Sequence, residues 1–255
     1  MIVLKLGGSV ITEKDRPETL DGAALERVAD VIAATRERAA DGAAGNLGDE
    51  GLVIVHGAGS FGHHHANAHG VTTTDGTHDP TAIHDIHGSM KTLNTFVMSR
   101  LLERAVPVVP VHPLSMAHCN ADGDLELPTG QLETLLADGF VPVLHGDLVA
   151  HAGEGTTVVG GDRLVARIAT DLEADRIGLC STVPGVLDES DAVIDEIDAY
   201  DDVADVLGDS DATDVTGGMA GKVRTLLELE GEASIFGADD LEAFLTGAQP
   251  GTTIR

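Results

Sequence analysis

The sequence has few of the residues that mark several protein classes. Its 255 residues include no tryptophan, one tyrosine and two cysteines. Two distant cysteines, Cys119 and Cys180, exclude a disulfide framework and predict a reducing, cytoplasmic location. No apolar run approaches the ~20 residues that a membrane-spanning helix needs. We therefore expect neither secretion nor a membrane partner.

Positive charge is also scarce. Lysine and arginine number 15 against 43 acidic residues, which gives a formal net charge of −28. Such a surface repels nucleic acid and anionic membranes, so neither is expected as a partner. Disorder is the alternative for a strongly acidic chain, but hydrophobic residues make up 42% of the sequence. We predict a folded enzyme with a heavily hydrated acidic surface, as in proteins of salt-loving organisms.

Short apolar runs alternate with amphipathic segments along the chain. This alternation predicts an α/β fold with a largely parallel central sheet. A Gly-rich, weakly patterned stretch at 151–160 predicts a boundary between two lobes, residues 1–154 and 155–255. The predicted strands are 2–6, 52–55, 106–111, 141–147, 175–180 and 233–236, and the predicted helices are 22–40, 81–105, 161–174, 216–230 and 239–247.

The stretch GLVIVHGAGSFGHHHA at 51–66 admits three interpretations. A dinucleotide fingerprint needs a second strand that ends in an acidic residue about 20 positions later, and no apolar strand precedes the acids found there. A metal site is disfavoured because consecutive histidines on a helix point about 100° apart, so His63, His64 and His65 cannot share one ion. We assign no metal ligands. In the third interpretation, glycines and a helix start present amide groups to a phosphate.

Other glycine motifs strengthen the phosphate interpretation. KLGGSVITEKD follows the first strand, HGD and GGDR follow later ones, and DVTGGMAGKV opens a helix. Three of the four lysines, Lys5, Lys14 and Lys222, fall in these motifs, and an ammonium group suits phosphate oxygens. A Walker A loop is excluded because Val223 follows the last lysine where Ser or Thr is needed. The motifs predict anion-binding helix starts around one cleft.

In this order, KLGGS, HGAGSFGH, HGD, GDRL and TGGMAGK resemble the motifs of the amino acid kinase superfamily. Within it the sequence is similar to the isopentenyl phosphate kinases, through the histidine of GSFGH and the lysine of SVITEK. The resemblance covers nearly the whole chain. It implies an open αβα sandwich, a homodimer, and transfer of the γ-phosphoryl group of ATP, with Mg²⁺, to isopentenyl phosphate for isoprenoid synthesis. It also implies that the N-terminal lobe binds the acceptor and the C-terminal lobe binds ATP.

The same resemblance implies roles for individual residues. The implied catalytic residues are His63, Lys14 and Lys5; the ATP-binding residues are Lys5, Leu6, Gly7, Gly8, Ser9, Gly59, Gly218 and Lys222; and the acceptor-binding residues are Ala58, His63 and Gly146. The sequence departs from the family pattern at two places. Ala58 stands where glycine is common, and STVPGV carries Thr182 and Pro184 where many relatives carry acids.

The chemistry agrees with these residue types. A phosphate monoester acceptor has a second pKa of about 6 and is ionised near neutral pH, so no strong general base is needed. Catalysis then consists of positioning and charge neutralisation. Two alternatives stay open: a kinase for fosfomycin or UMP, and a nucleotide-binding regulatory module without catalysis. An apolar pocket would favour a prenyl acceptor over the other acceptors, because a prenyl tail needs apolar contacts. Residues at helical spacing that could line such a pocket are Ile83, Ile86, Met90 and Leu93, although ordinary core packing accounts for them equally.

Overall fold

The computed structural model describes residues 1–40, 51–207, 218–229 and 231–255. Its helices are α1 (Gly8–Ile11), α2 (Gly22–Ala40), α3 (Gly59–His69), α4 (Pro80–Leu102), α5 (Gly130–Ala137), α6 (Gly161–Asp171), α7 (Ala204–Leu207), α8 (Gly218–Leu227) and α9 (Leu241–Leu245). Its strands are β1 (Ile2–Leu6), β2 (Leu52–His56), β3 (Val108–Pro110), β4 (His118–Cys119), β5 (Leu125–Glu126), β6 (Val141–His145), β7 (Asp147–His151), β8 (Gly155–Val159), β9 (Arg176–Ser181), β10 (Glu196–Ile197), β11 (Ala233–Gly237) and β12 (Thr252–Ile254). No helix in the described ranges is both long and apolar enough to cross a bilayer.

The central sheet has eight strands in the order β10-β12-β11-β9-β1-β2-β6-β3. All neighbouring strands are parallel except β11 and β12. The buried strands β1, β2 and β6 are apolar along almost their whole length, as expected for a parallel sheet that is covered on both faces. The predicted α/β class with a largely parallel sheet is confirmed.

Helices cover both faces of this sheet. Alternate residues of a strand point to opposite faces, so Leu4 packs with the core of α2, α4 and α9, while Val3 packs with the core of α5, α6 and α8. The arrangement is the predicted αβα sandwich. Lys5 lies on the same face as Val3, and this parity directs its side chain towards α6.

A second sheet was not predicted. It has four strands in the order β5-β4-β7-β8. The prediction of a single strand over 141–147 is wrong at its C-terminal end. Strand β6 ends at His145, and after Gly146 the chain continues as β7, which belongs to the other sheet. Strands β7 and β8 form a hairpin through the stretch that we interpreted as a lobe boundary. The division between residues 154 and 155 falls next to the start of β8, and it stays a prediction.

Several predicted ends shift by a few residues. Helix α4 begins at Pro80 because the side chain of Asp79 accepts a hydrogen bond from the amide of Thr81. Strand β3 is shorter than the predicted 106–111, and Pro110, which has no N–H to donate, ends it. The predicted helix 216–230 corresponds to α8, and the ends of that prediction lie outside the described residues.

Candidate active site

The carboxyl ends of β1, β2, β6 and β9 meet at one cleft with a volume of ≈ 270 Å³. Ligands of open parallel sheets bind at this edge. The β1–α1 and β2–α3 loops form its floor, the first turns of α6 and α8 lie on one side, and α3 and α4 form the other side. The cleft therefore joins all the glycine motifs singled out in the sequence, as far as they fall in the described residues.

The two floor loops touch through their backbones. A Cβ on Gly8 would stand 2.2 Å from the amide nitrogen of Gly59, and a Cβ on Gly57 would stand 2.6 Å from the nitrogen of Gly8. Gly59 has a φ of +50°, and Oγ1 of Thr12 accepts a hydrogen bond from the Ser60 amide at 3.1 Å. Glycine is required here because two main chains occupy the space that side chains would need.

A buried carboxylate joins two lysines above this floor. Nζ of Lys5 donates to Oδ1 of Asp162 at 2.5 Å, and Nζ of Lys222 lies 3.9 Å from Oδ2. The side chains of Lys5 and Asp162 are only 7% and 9% exposed. Asp162 lies in the first turn of α6, where the helix dipole favours a negative charge. Sequence reasoning missed Asp162, since its partners come from distant segments of the chain.

Helix α3 brings one of the three consecutive histidines to the cleft. His63 lines it, His64 is exposed, and Nε2 of His65 lies 3.0 Å from Oε1 of Glu18. His63 is thus the only one of the three that lines the cleft, while the rings of His64 and His65 pack edge to face with centroids 5.2 Å apart. His65 does not simply face solvent, because it links α3 to the loop that follows α1.

The end of the cleft beyond His63 is apolar. Its wall is formed by side chains of α3, α4 and β8, namely Ala66, Ile86, Met90 and Val158. A Cβ on Gly62 would stand 2.5 Å from Sδ of Met90, so this glycine lets α4 approach α3 closely. Of the four apolar α4 residues predicted for a pocket, Ile86 and Met90 line the cleft. Ile83 and Leu93 do not line it and pack only in the core, to which Ile86 and Met90 also belong.

A second carboxylate, Asp147, also lines the cleft and was missed. Its side chain is fully buried, and Nδ1 of His87 donates to both of its oxygens at 2.9 Å. The amide of Leu114 approaches Oδ2 at 3.5 Å. The motif HGD indicated Gly146 as a site residue. Nothing in the sequence indicated that the next residue, Asp147, pairs with His87 on α4.

The wall of the cleft that follows β9 carries hydroxyl groups. Ser181, Thr182 and Val183 line the cleft after β9. The carbonyl of Cys180 accepts a hydrogen bond from the Gly7 amide at 2.9 Å. Burial raises the pKa of the Cys180 thiol to about 12, so the thiol stays neutral. This wall brings no negative charge towards a bound anion.

The structure brings together all but two of the predicted site residues. Those that line the cleft are Lys5, Gly7, Gly8, Ser9, Ala58, Gly59, His63, Gly146, Gly218 and Lys222. Leu6 does not line it, because its side chain is buried in the core on the α2 face of β1. Lys14 is exposed on the loop between α1 and α2 and is not part of the lining. The roles of all these residues stay predictions.

Comparison with known proteins identifies the family. The Amino acid kinase family profile matches residues 1–235. The chain is 54% identical over 255 residues to isopentenyl phosphate kinase of Haloferax volcanii, covering 100% of this chain and 98% of that protein. It is 34% identical over 243 residues to isopentenyl phosphate kinase of Methanothermobacter thermautotrophicus, covering 90% and 86%.

Solved structures agree with the sequence matches. A structure described as "X-ray structures of isopentenyl phosphate kinase" superimposes with a TM-score of 0.82 at 29% identity over 100% of both chains. Aspartate kinase from Synechocystis, at 16% identity and a TM-score of 0.65, shares the fold over 99% of this chain and 39% of its own. By its family match and by identity over its full length, the chain belongs to the amino acid kinase family, and within it to the isopentenyl phosphate kinases.

Proposed function

We propose that the protein transfers the γ-phosphoryl group of ATP to isopentenyl phosphate and forms isopentenyl diphosphate. One observation carries the proposal: a single cleft combines two lysines, glycine loops and an apolar end, with His63 lining it as well. A nucleotide monophosphate acceptor such as UMP needs polar partners for its base, whereas a prenyl tail needs an apolar wall. Ala66, Ile86, Met90 and Val158 offer such a wall.

The chemistry requires positioning rather than a strong base. Lys5 and Lys222, held together by Asp162, neutralise the charge that develops on the transferring phosphoryl group. The glycine floor lets the phosphates approach main-chain amides. His63 donates a hydrogen bond to the acceptor phosphate, and its place on α3 beside Ala66 supports this role. Lys14 serves the transferring group if its exposed loop turns towards the cleft.

Mg²⁺ enters as part of the ATP substrate. Both carboxylates that line the cleft already have partners, Asp162 with two lysines and Asp147 with His87. Neither carboxylate is therefore a spare ligand, and phosphate oxygens with water suit Mg²⁺. Bound to ATP in this way, Mg²⁺ would shield the phosphate charges, and the residues of the chain orient the two substrates.

Three further properties are proposed: the roles of the two lobes, a homodimer, and adaptation to high salt. The acceptor binds to the 1–154 lobe and ATP to the 155–255 lobe, which agrees with three of the four residues of the apolar wall, Ala66, Ile86 and Met90, on α3 and α4, whereas Val158 belongs to the second lobe. A homodimer is supported by Phe96 and Leu102, which are 40% and 55% exposed on α4, beside the edge strand β3. The acidic surface supports adaptation to high salt. Light scattering of the purified protein tests the dimer.

The substrate is tested with a panel of phosphate acceptors. Protein, Mg²⁺ and ATP are incubated with isopentenyl phosphate, dimethylallyl phosphate, fosfomycin, UMP or methyl phosphate, and ADP is followed. At ~0.8 kcal/mol per buried methylene, the prenyl tail contributes about 3 kcal/mol more than a methyl group. We therefore expect kcat/KM for isopentenyl phosphate to exceed that for methyl phosphate by roughly 10²-fold. Equal or better turnover with UMP would overturn the proposal.

The role of His63 is tested by comparing neighbouring histidines. His63→Ala should lower kcat/KM by about 10²–10³, the loss seen for one preorganised donor, and His63→Gln should retain part of the activity because an amide still donates. His64→Ala is the matched control, since its ring is exposed on the same helix. If His64→Ala loses as much as His63→Ala, the assignment of His63 to the acceptor phosphate is wrong.

A further inference from the structure

Two buried histidines lie directly beneath the glycine floor. His56 ends β2, His145 ends β6, and the parallel register of the two strands places them side by side. Both are 0% exposed, and their rings stack with centroids 5.5 Å apart. Each is followed by a glycine that lines the cleft, Gly57 or Gly146, although neither histidine lines it. Neither histidine is among the site residues predicted from the sequence.

Both rings make the same contact with the next residue. Nδ1 of His56 lies 3.1 Å from the carbonyl oxygen of Gly57, and Nδ1 of His145 lies 3.0 Å from that of Gly146. A carbonyl oxygen carries no proton, so the ring nitrogen must be the donor in both hydrogen bonds. Burial lowers the pKa of His56 to about 3 and also lowers the pKa of His145. Both rings are therefore neutral at neutral pH.

Neutrality fixes which nitrogen carries the proton. With Nδ1–H donating, Nε2 of each ring is an acceptor. Nε2 of His145 accepts from Nδ1 of His112 at 2.8 Å. Nε2 of His56 lies 3.1 Å from Oδ1 of Asn94, which is itself an acceptor. A half-turn of the Asn94 amide brings its NH₂ group to Nε2, whereas the backbone carbonyl of Gly57 cannot become a donor. The Nδ1–H tautomer, with the Asn94 amide turned in this way, therefore satisfies both ends of the His56 ring.

This hydrogen bond determines what faces the cleft. In a trans peptide, the C=O and the N–H point to opposite sides. Because His56 holds the Gly57 carbonyl on the interior side, the N–H of Ala58 points to the cleft side. The position that a Cβ would take on Gly146 lies 3.5 Å from the carbonyl oxygen of Val159, 3.6 Å from the amide nitrogen of Gly161 and 3.7 Å from that of Ala58. Two amides and one carbonyl thus border the space above Gly146.

We propose that His56 is a positioning residue for phosphoryl transfer and that His145 is its counterpart. Each imidazole holds a glycine carbonyl away from the anion, and His56 thereby directs the Ala58 N–H at the acceptor phosphate. The inference rests on the proposed function, since it takes this anion to be the phosphate of the acceptor. Gly146 is tied into the same unit, because its own N–H donates to the carbonyl of His56 at 2.9 Å.

Two substitutions at the same position test the proposal. His56→Asn places an amide N–H close to the position of Nδ1 and keeps the bond to Gly57, whereas His56→Gln reaches the position of Nε2 and loses it. We expect His56→Gln to lower kcat/KM for isopentenyl phosphate by about 10²-fold, the effect of one misplaced donor, and His56→Asn to stay within about tenfold of wild type. The KM for ATP should change by less than about threefold in both variants. The tenfold and threefold limits are both smaller than the roughly 10²-fold or larger decrease in rate that the loss of one hydrogen-bond donor causes.

Asn94→Leu is the matched control. It removes the other hydrogen bond of the His56 ring, on the side away from the cleft, so it should lower the melting temperature while kcat/KM stays within a few-fold of wild type. Equal losses for His56→Asn and His56→Gln at similar melting temperatures would refute the positioning role. So would a kinetic defect of Asn94→Leu as large as that of His56→Gln.

Two other outcomes, a variant that does not fold and a failure of the proposed function, can be told apart from a failure of the positioning role. If His56→Gln does not fold, the same pair of substitutions at His145 decides, with the same expected difference between Asn and Gln. If wild-type protein does not phosphorylate isopentenyl phosphate but phosphorylates another acceptor of the panel, the proposed function fails. The Asn-against-Gln comparison made with that other acceptor then supports or refutes the positioning role by itself.

Discussion

Replacement of Asp162 by asparagine should cost the protein both stability and activity. The substitution keeps the shape of the side chain and removes the charge that faces Lys5 at 2.5 Å and Lys222 at 3.9 Å. Removing one partner of a buried ion pair costs about 3–5 kcal/mol, because the other charge is left uncompensated. The side chains of Lys5 and Asp162 are nearly buried, so we expect a loss near 3 kcal/mol, at the lower end of this range.

Urea unfolding with and without ATP measures this effect. Nucleotide phosphates supply the negative charge that the variant lacks, so saturating ATP should narrow the difference in unfolding free energy between variant and wild type. We expect kcat to fall by roughly 10²-fold, because the two ammonium groups are no longer held in place. Asp171→Asn is the control: its pair with Arg167 on the same helix is partly exposed, and such pairs contribute about 0.3–0.5 kcal/mol. The reasoning is refuted if Asp162→Asn and Asp171→Asn unfold alike, or if ATP widens the gap.

Three further predictions follow from the floor, the buried rings and the surface charge. Gly8→Ala should reduce activity by more than about 10²-fold, because its Cβ would collide with the backbone of Gly59. Gly130→Ala, with nothing within 4 Å of the new Cβ, should be neutral in the same kinetic assay and in thermal melting. Stability should fall as the pH drops below 6.5, since the unfolded chain then binds a proton that His56, with a folded pKa of about 3, does not. The contribution of His56 alone is about 2 kcal/mol between pH 7 and 5, so the urea unfolding free energy of His56→Asn should depend less on pH by that amount. KCl should raise the melting temperature between roughly 0.1 and 2 M, because the Debye length shrinks from about 10 Å to about 3 Å or less and screens a net charge of −28. A flat or falling melting temperature would contradict this last prediction.

The sequence predicted the α/β class, the parallel sheet and most of the cleft for a simple reason, while the αβα sandwich was implied by the family resemblance. Buried parallel strands are continuous apolar runs, and the residues that serve a phosphate are glycines and lysines in short local motifs. Lys5, Gly8 and Lys222 could be chosen because each lies inside such a motif, and all three line the cleft. The motif order carried more information than any single motif.

The remaining features depend on contacts that no local pattern encodes. Strands β4 and β5 have two residues each, which is too short for any alternation of apolar and polar residues to be visible. Asp162 meets Lys5 across 157 positions, and Asp147 meets His87 across 60. His56 looks like the polar end of an apolar strand, and its role emerges only when its ring is seen beneath the Gly57 carbonyl. Lys14 matched a motif, yet its loop leaves it exposed.

The backbone contact between Gly8 and Gly59 has a consequence for how this enzyme can diversify. Gly8 and Gly57 cannot accept a side chain without displacing the facing loop, so a change at either glycine requires a coordinated change in the other loop. The apolar wall is different, because Ile86, Met90 and Ala66 contribute side chains that can be exchanged one at a time. Substitutions that adapt the protein to a new acceptor should therefore occur in α3 and α4. New substrate ranges should arise there, while the phosphate end is inherited unchanged.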